Sequence, residues 1–395
     1  MNKPLNRFYI KNDNAIHWSA ALFHEVFDFL SSKPISRDQL NYEAGVCKNI
    51  HYGDILTKLP SIVEYNCPIL PYVNSEIDTR LFNSLNSGDI VIADTAEDYM
   101  VGTAVEVSVN DGEVITAGLH TMACRPKIKF AKSYLGYYLN SPAFHNQLKR
   151  LVTGTKVLAI NKSEIINTVI KFPSFEEQQQ IAEFFTALDE KIRCLDDLAK
   201  CFSQSMQCVL NKVFTQQISF KDENGNNYSE WTSKTIKDVA PLQRGFDLPT
   251  SQLQDGECTV IYSNGQTAKH SAFKCDGCAV VTGRSGTIGK VFYLDNCKYW
   301  PHNTTLWVTD FCGNNPKFIY YLLKFVGLEQ FSTGTGVPTL NRNDVHDYVV
   351  KIPSIDEQTK IVEFLDCYNK KLNLLISKKH AFQELKKAFM QRMFV

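Results

Sequence analysis

Residues 171–193, KFPSFEEQQQIAEFFTALDEKIR, return 180 positions later as KIPSIDEQTKIVEFLDCYNKKLN at 351–373, without a gap and with nine of 23 residues identical. The identities are Lys171, Pro173, Ser174, Glu177, Gln178, Ile181, Glu183, Phe184 and Lys191. The same shift pairs Thr153-Gly154-Thr155 with Thr333-Gly334-Thr335, Asn161 with Asn341 and Phe214 with Phe394. A second match, at a shift of 213, sets HWSAALFHEVFDFL (17–30) against EWTSKTIKDVAPLQ (230–243), with Trp18 opposite Trp231 and Val26 opposite Val239. Self-similarity at a fixed shift marks a repeated structural unit, so two copies of one body-plus-tail unit are expected. From tryptophan to tail lysine is 153 residues in the first copy and 120 in the second. The bodies have diverged in length while the tails have not.

Each tail opens Pro-Ser-x-(Glu/Asp)-Glu, where Ser174 and Ser354 stand at the N-cap and Glu177 and Glu357 at the capping-box position. The 39 residues from Glu176 to Phe214, or from Asp356 to Phe394, contain neither proline nor glycine, enough for a helix of about 58 Å. The first tail carries heptads: Ile181, Leu188, Leu195, Phe202 and Val209 form one seam, and Phe185, Ile192, Ala199, Met206 and Val213 the second. The second tail keeps Ile361, Tyr368, Leu375, Phe382 and Phe389, then Leu365, Leu372, Lys379, Lys386 and Met393, so two lysines interrupt its second seam. There the seam is expected to be partly open, or Leu385 to rotate in. Two equal helices that bury matching stripes predict an antiparallel pair and a pseudo-twofold repeat.

The bodies read as mixed α/β. CTVIYSNG (258–265), CAVVTG (278–283), GKVFYLD (289–295) and TTLWVTD (304–310) have the character of strands, and Asn315-Pro316 starts a helix. DIVIAD (89–94), GTAVEVSV (102–109) and the helical AKSYLGYYLN (131–140) repeat that order in the first body. The boundaries expected are body one at 1–173, a helical spacer at 174–215, body two at 216–353 and a second spacer at 354–395.

Enzyme signatures are near misses. GRSGTIGKV (283–291) has phosphate-loop glycines but puts Val291 where a hydroxyl residue is required. Asn315-Pro316-Lys317-Phe318 lacks the second proline of amino-methyltransferases, and no cofactor glycine motif precedes it. Cys275-Asp-Gly-Cys278 has zinc-knuckle spacing without a second pair, and its Asp-Gly reads as a hairpin turn. Twelve scattered cysteines, polar opening residues and the lack of any run of ~20 apolar residues predict reduced thiols, a cytoplasmic location and no membrane partner. No catalytic residue, metal or cofactor is expected.

The heads offer polar loop chemistry instead. In the second body these are Arg244, in LQRGFDLPTSQ; Arg284 and Ser285, in GRSGT; and His302, Asn303 and Thr304, in WPHNTT. The first body contributes Lys33, Arg37, His51, Tyr52, His120 and Thr121. Arginine can read guanine, asparagine adenine, and hydroxyls several base edges or phosphates.

These motifs, in duplicated order, resemble the specificity subunits of type I restriction–modification systems. The resemblance rests on the two tails and on GRSGTIGKVFY, YWPHNTTLWV, NNPKFIYYLL and GTGVPTLNRNDV. It covers nearly the whole chain, though the first body lacks a GRSGTIG-like turn. It implies two target-recognition domains on double-stranded DNA, each reading one half of a split asymmetric sequence. It also implies paired helices that dock two methyltransferase subunits, with restriction subunits joining the full complex. S-adenosylmethionine, ATP and magnesium would belong to those partners. The alternatives are a methyltransferase or nuclease with its own recognition domain, and a coiled-coil scaffold that binds no DNA. With 42 basic and 42 acidic residues the formal net charge is zero; since phosphate contacts dominate DNA affinity, the chain alone is expected to bind DNA weakly.

Overall fold

The computed structural model describes residues 18–32, 34–79, 82–265, 267–333 and 338–394. The chain divides into two compact units, Met1–Leu195 with Lys378–Val395, and Asp196–Ser377. Two helices, Phe175–Phe214 of 40 residues and Ile355–Arg392 of 38, each contribute one part to each unit.

In the first unit a five-stranded sheet runs in the order Phe27–Leu30, Thr121–Pro126, Ile90–Ala93, Ala104–Ser108, Ile62–Glu64, antiparallel except for its last pair. Ile90-Val91-Ile92-Ala93 is buried on both faces, which explains why DIVIAD is apolar without alternation. Ile90, Ile92, Met122 and Cys124 face a core with the helices Tyr134–Tyr138 and Pro142–Leu148, and reach the first long helix through Ile181 and Phe185. Val91, Ala93, Val105 and Ala123 face the opposite core, closed by Ile50, Ile55 and Ile115. A four-stranded sheet, Ile115–Ala117, Lys48–Ile50, Tyr72–Val73, Leu40–Asn41, completes the head.

The second unit has one six-stranded sheet, ordered Leu242–Arg244, Thr305–Val308, Cys275–Gly283, Val291–Pro301, Cys258–Ile261, Thr267–His270. Val280, Val291, Leu306 and Val308 pack on the helix Pro316–Val326 through Phe318, Ile319 and Leu322. The Cys275–Cys278 segment is not the hairpin its Asp-Gly suggested: one strand runs through it, with a bulge between Gly277 and Ala279. Gly277, opposite Cys297 at the edge of the bulge, holds φ 113°, which a residue without a Cβ adopts cheaply.

Both repeat shifts have one structural cause. Ser19–Leu22 pairs antiparallel with Val169–Phe172, and Thr232–Thr235 with Val349–Ile352. The opening strands are related by 213 residues and the closing strands by 180, so each copy is closed at its neck by its two repeated ends. The divergent body lies between them. A one-turn helix follows each opening strand, Phe23–Val26 and Ile236–Val239, tied by its first amide to Thr168 (2.8 Å) or Tyr348 (2.9 Å).

Gln178 and Gln358, shared by the two tails, make the same buried bonds. Gln178 Oε1 accepts from the Ala131 amide at 3.1 Å, and its Nε2 donates to the Pro173 carbonyl at 3.0 Å. Gln358 Oε1 accepts from the Asn315 amide at 2.9 Å and its Nε2 donates to Pro353 at 3.1 Å. Each pins the helix start of its head to its tail. Ser174 and Ser354 cap their helices, accepting from the Glu177 and Glu357 amides, and the Glu357 carboxylate takes the Trp231 indole at 3.1 Å.

Within each unit the two long helices meet antiparallel. Phe184 packs on Phe389 and Phe185 stacks on Phe394 in the first unit; Phe202 meets Tyr368 in the second. The seam residues Ile181, Phe185, Leu188, Leu195, Met206, Ile361, Leu365 and Leu375 are buried. Ile192, Phe202, Val209, Tyr368, Leu372, Phe382 and Phe389 are half-buried. Burying a side chain such as Phe185 contributes roughly 1.5–3 kcal/mol. At the interrupted seam Leu385 stays exposed, and Lys386 fills its own position by pairing with Asp189 at 2.6 and 2.8 Å.

Candidate nucleic-acid interface

In the second head three loops far apart in sequence converge. The Phe246 amide donates to Pro301 at 2.8 Å, and the Gly245 amide to Thr305 at 3.1 Å. A Cβ at Gly245 would lie 2.2 Å from the His302 carbonyl, so glycine is what lets this backbone approach. From the other side the Arg284 and Ser285 amides donate to the Thr304 carbonyl at 2.8 and 3.2 Å. These bonds bring Arg244, Arg284, Ser285, His302, Asn303 and Thr304, all anticipated from sequence, onto one surface.

Within that set Asp247 accepts from Asn303 Nδ2 and lies 3.6 Å from Arg244. His302 Nδ1 sits 3.0 Å from the Thr304 hydroxyl, and its ring packs on Tyr262. Burial holds the His302 imidazole below the usual histidine value, leaving it neutral at pH 7. Arg284 meets no carboxylate among the described residues. Lys274 lies over the rings of Trp300 (4.9 Å) and Phe246 (5.5 Å), a cation held by π faces beside the same loops. The cluster offers guanidinium, amide and hydroxyl groups at a surface, a set suited to base edges and phosphates.

The first head forms a second cluster. Arg37 Nη1 donates to Asp54 Oδ2 at 2.8 Å, and Nη2 lies 3.5 Å from His51 Nδ1. His51 caps the helix Tyr52–Thr57 by accepting from the Gly53 amide at 3.2 Å. Burial, then the Arg37 charge, lowers its pKa and keeps the ring neutral. Tyr52 packs against His51 and, edge-on, against His120. His120 holds φ 53° and lies 3.6 Å from Asp94. Thr121, by contrast, is buried and its hydroxyl donates to the Gly118 carbonyl at 2.6 Å, so it braces the turn that presents His120. Lys33 lies outside the described residues.

The sequence reading passed over Asp54, Asp94, Asp247 and Lys274. Their partners stand up to 56 residues away, as Asn303 does from Asp247, so no local motif signals them. A carboxylate flanked by an apolar helix run, as Asp54 is in YGDILT, was the one available hint. Among the described residues no group of three or more histidine, cysteine, aspartate or glutamate side chains could hold a metal ion. Nor is any helix among them long and apolar enough to cross a membrane.

The sequence pattern described as the type I restriction modification DNA specificity domain matches residues 24–198 and again 228–382. The type I restriction enzyme MjaVIII specificity subunit of Methanocaldococcus jannaschii is 24% identical over 213 residues, 52% of this chain and 48% of that protein. A putative type I specificity subunit of Mycoplasma pneumoniae is 24% identical over 216 residues, 52% of this chain and 57% of that one. The chain thus spans about half the length of these relatives. The fold is similar to the S subunit of the M. genitalium type I restriction–modification system, with a TM-score of 0.58, 14% identity and 98% of both chains covered. It is also similar to a chain from a structure of complex assembly and conformational transition in a type I system, with a TM-score of 0.61, 17% identity and 95% and 97% covered.

Proposed function

Since this chain belongs to the type I restriction modification DNA specificity family, we propose that it selects a bipartite, asymmetric double-stranded DNA target. Residues 1–173 and 216–353 are the two recognition domains, and 174–215 and 354–395 are helical spacers. The carrying observation is the convergence of Arg244, Arg284, Ser285, His302, Asn303 and Thr304 from three loops of the second head. The Arg37, His51, Tyr52 and His120 cluster of the first head supports the same role. Both clusters hold arginine and histidine, but the second adds Ser285, Asn303 and Thr304 where the first has Tyr52, which fits unlike half-sites.

The chain contributes recognition and no catalysis. Two methyltransferase subunits dock on the helical parts and bring S-adenosylmethionine; restriction subunits join through them with ATP and magnesium. Exposed apolar side chains on the long helices, Ile355, Leu374 and Ile376 in the second unit and Leu385 in the first, fit such docking. Zero net charge fits a reader that borrows phosphate contacts from its partners. All of these components would act in the cytoplasm.

Base-resolution mapping of DNA methylation in cells with and without this gene tests the reading. A split motif that vanishes with the gene is expected. Exchanging residues 1–173 for the first head of another family member should change one half-site only. Methylation that persists without the gene, or a motif unaltered by the exchange, overturns it.

A further inference from the structure

We propose that Asp54 is a positioning residue that holds Arg37 edge-on to a guanine in the first half-site; this rests on the reading of the chain as a DNA specificity subunit. The argument comes from comparing two arginine–aspartate pairs in the same head. Arg125 grips Asp89 bidentately, Nε to Oδ1 at 2.8 Å and Nη2 to Oδ2 at 2.6 Å, and the Asn86 amide adds a bond of 2.7 Å to Oδ2. Both carboxylate oxygens are satisfied and one whole edge of that guanidinium is consumed. Such a fork-to-fork pair closes on itself and serves the fold.

Arg37 and Asp54 are arranged otherwise. The Asp54 side chain is 1% exposed, yet among the described residues its one hydrogen bond comes from Arg37 Nη1 on Oδ2. Its Oδ1 has no hydrogen-bond donor among the described residues, with the Lys58 ammonium at 3.5 Å. A buried carboxylate is costly to leave so lightly partnered, and full pairing was available, as Arg125 demonstrates. The monodentate grip leaves the Nε edge of Arg37 unconsumed on a side chain 44% exposed. His51 Nδ1 and the Tyr42 hydroxyl, 3.5 and 3.4 Å from the guanidinium, flank it.

A guanidinium fixed at one nitrogen and open along another edge matches guanine O6 and N7 in the major groove. The carboxylate behind it removes rotamer freedom before binding, so less entropy is lost when the base is engaged. Lysine, a point charge without a second donor edge, cannot reproduce that contact.

The test maps methylation at base resolution in cells that carry the wild-type, Asp54→Asn or Arg37→Lys chain with the methyltransferase subunit of the same system. At one guanine position of the first half-site, discrimination should fall about tenfold in both variants, the scale of a lost bidentate contact. Every position of the second half-site should stay unchanged, which a general folding defect would not allow. If Asp54→Asn lowers methylation at all sites alike, Arg37→Lys decides: a local loss supports the proposal, and an intact motif overturns it. An unchanged motif in both variants overturns it too. Should the wild-type chain direct no sequence-specific methylation, it is the reading as a specificity subunit that fails. If Arg284→Ala relaxes the second half-site while Asp54→Asn leaves the first intact, only the present inference fails.

Discussion

The two copies solve the same problem at the same place by different chemistry. Each must satisfy the amides that open the helix lying between its sheet and its tail. In the second copy Asn315 does so locally, its side chain accepting from the Lys317 amide at 2.9 Å and the Phe318 amide at 3.3 Å. In the first, the residue that precedes the helix is Ser133, which sits at φ 70° and makes no side-chain cap. Glu106 reaches over from the neighbouring strand instead, accepting from the Ser133 amide at 2.6 Å and the Gly136 amide at 2.9 Å. A neutral local cap is cheap to bury; a remote carboxylate is not. The lesson is that duplication preserves a requirement for hydrogen bonds and leaves open which residue meets it.

This difference predicts that only the first unit carries a strong pH dependence from its cap. Burial raises Glu106 from an ordinary 4.5 to about 7 against the opposing pull of the backbone donors. The folded pKa exceeds the unfolded one, so the contribution is complete below pH 4.5 and is lost as pH climbs through 7. The shift corresponds to about 3 kcal/mol. Protection of the Tyr134–Tyr138 amides from hydrogen exchange should therefore weaken in the wild type relative to Glu106→Gln as pH rises across that window. A gap between wild type and variant that stays constant with pH would show the carboxylate is already ionised in the fold.

A second contrast lies where head meets tail. Tyr137 donates to Asp189 at 3.0 Å, with Thr186 at 3.5 Å, and Lys386 completes the site. At the 180-residue shift Thr186 becomes Asp366 and Asp189 becomes Asn369. There Tyr321 donates to Asp366 at 2.6 Å and accepts from Asn369 at 2.6 Å, while Lys317 supplies the cation at 2.6 Å. The acid has moved one helical turn and its lysine comes from another element. Asp189→Ala and Asp366→Ala should each cost about 1–3 kcal/mol, the penalty for stranding a half-buried donor pair. Joining Thr186→Asp to Asp189→Asn should recover part of the loss only if Lys386 can follow the displaced carboxylate. Urea denaturation of the four chains measures this, and full additivity would mean the acid position is not interchangeable.

What sequence could reveal follows from the same logic. The repeated ends of each copy, the caps at Ser174 and Ser354 and the helical seams were legible because they recur at a repeat shift or at fixed spacing, whereas the pairing of those ends into a neck was not. Even the misplaced lysine of the second seam was visible, though not the aspartate that receives it, because Asp189 stands 197 residues from Lys386. The loops of the second head were legible as polar, glycine-marked segments, but their convergence depends on strand order, which pairs Leu242–Arg244 with Thr305–Val308. The partners of Glu106 and Asp54 were hidden. A lone acid in an apolar strand or helix hints at burial but does not announce its partner.

The smallest expected effect tests the local half of the cap comparison. Asn315→Ala removes one side-chain oxygen that serves two amides, and N-cap truncations cost about 0.5–2 kcal/mol. Pro316, which follows it, already presents no amide, so two donors rather than three are left unmet. The Asn315 amide itself remains held by Gln358. The loss should thus fall near the low end of that range, and it should be the same at pH 5 and pH 8, since no titrating group caps this helix. Amide exchange at Lys317 and Phe318 reads the local effect, while Tyr134–Tyr138, whose protection should fall over the same pH range, serves as the titrating control. If the variant instead acquires a pH dependence like that of the first unit, a carboxylate has taken over the vacated amides, and the two copies would then differ by less than their present caps imply.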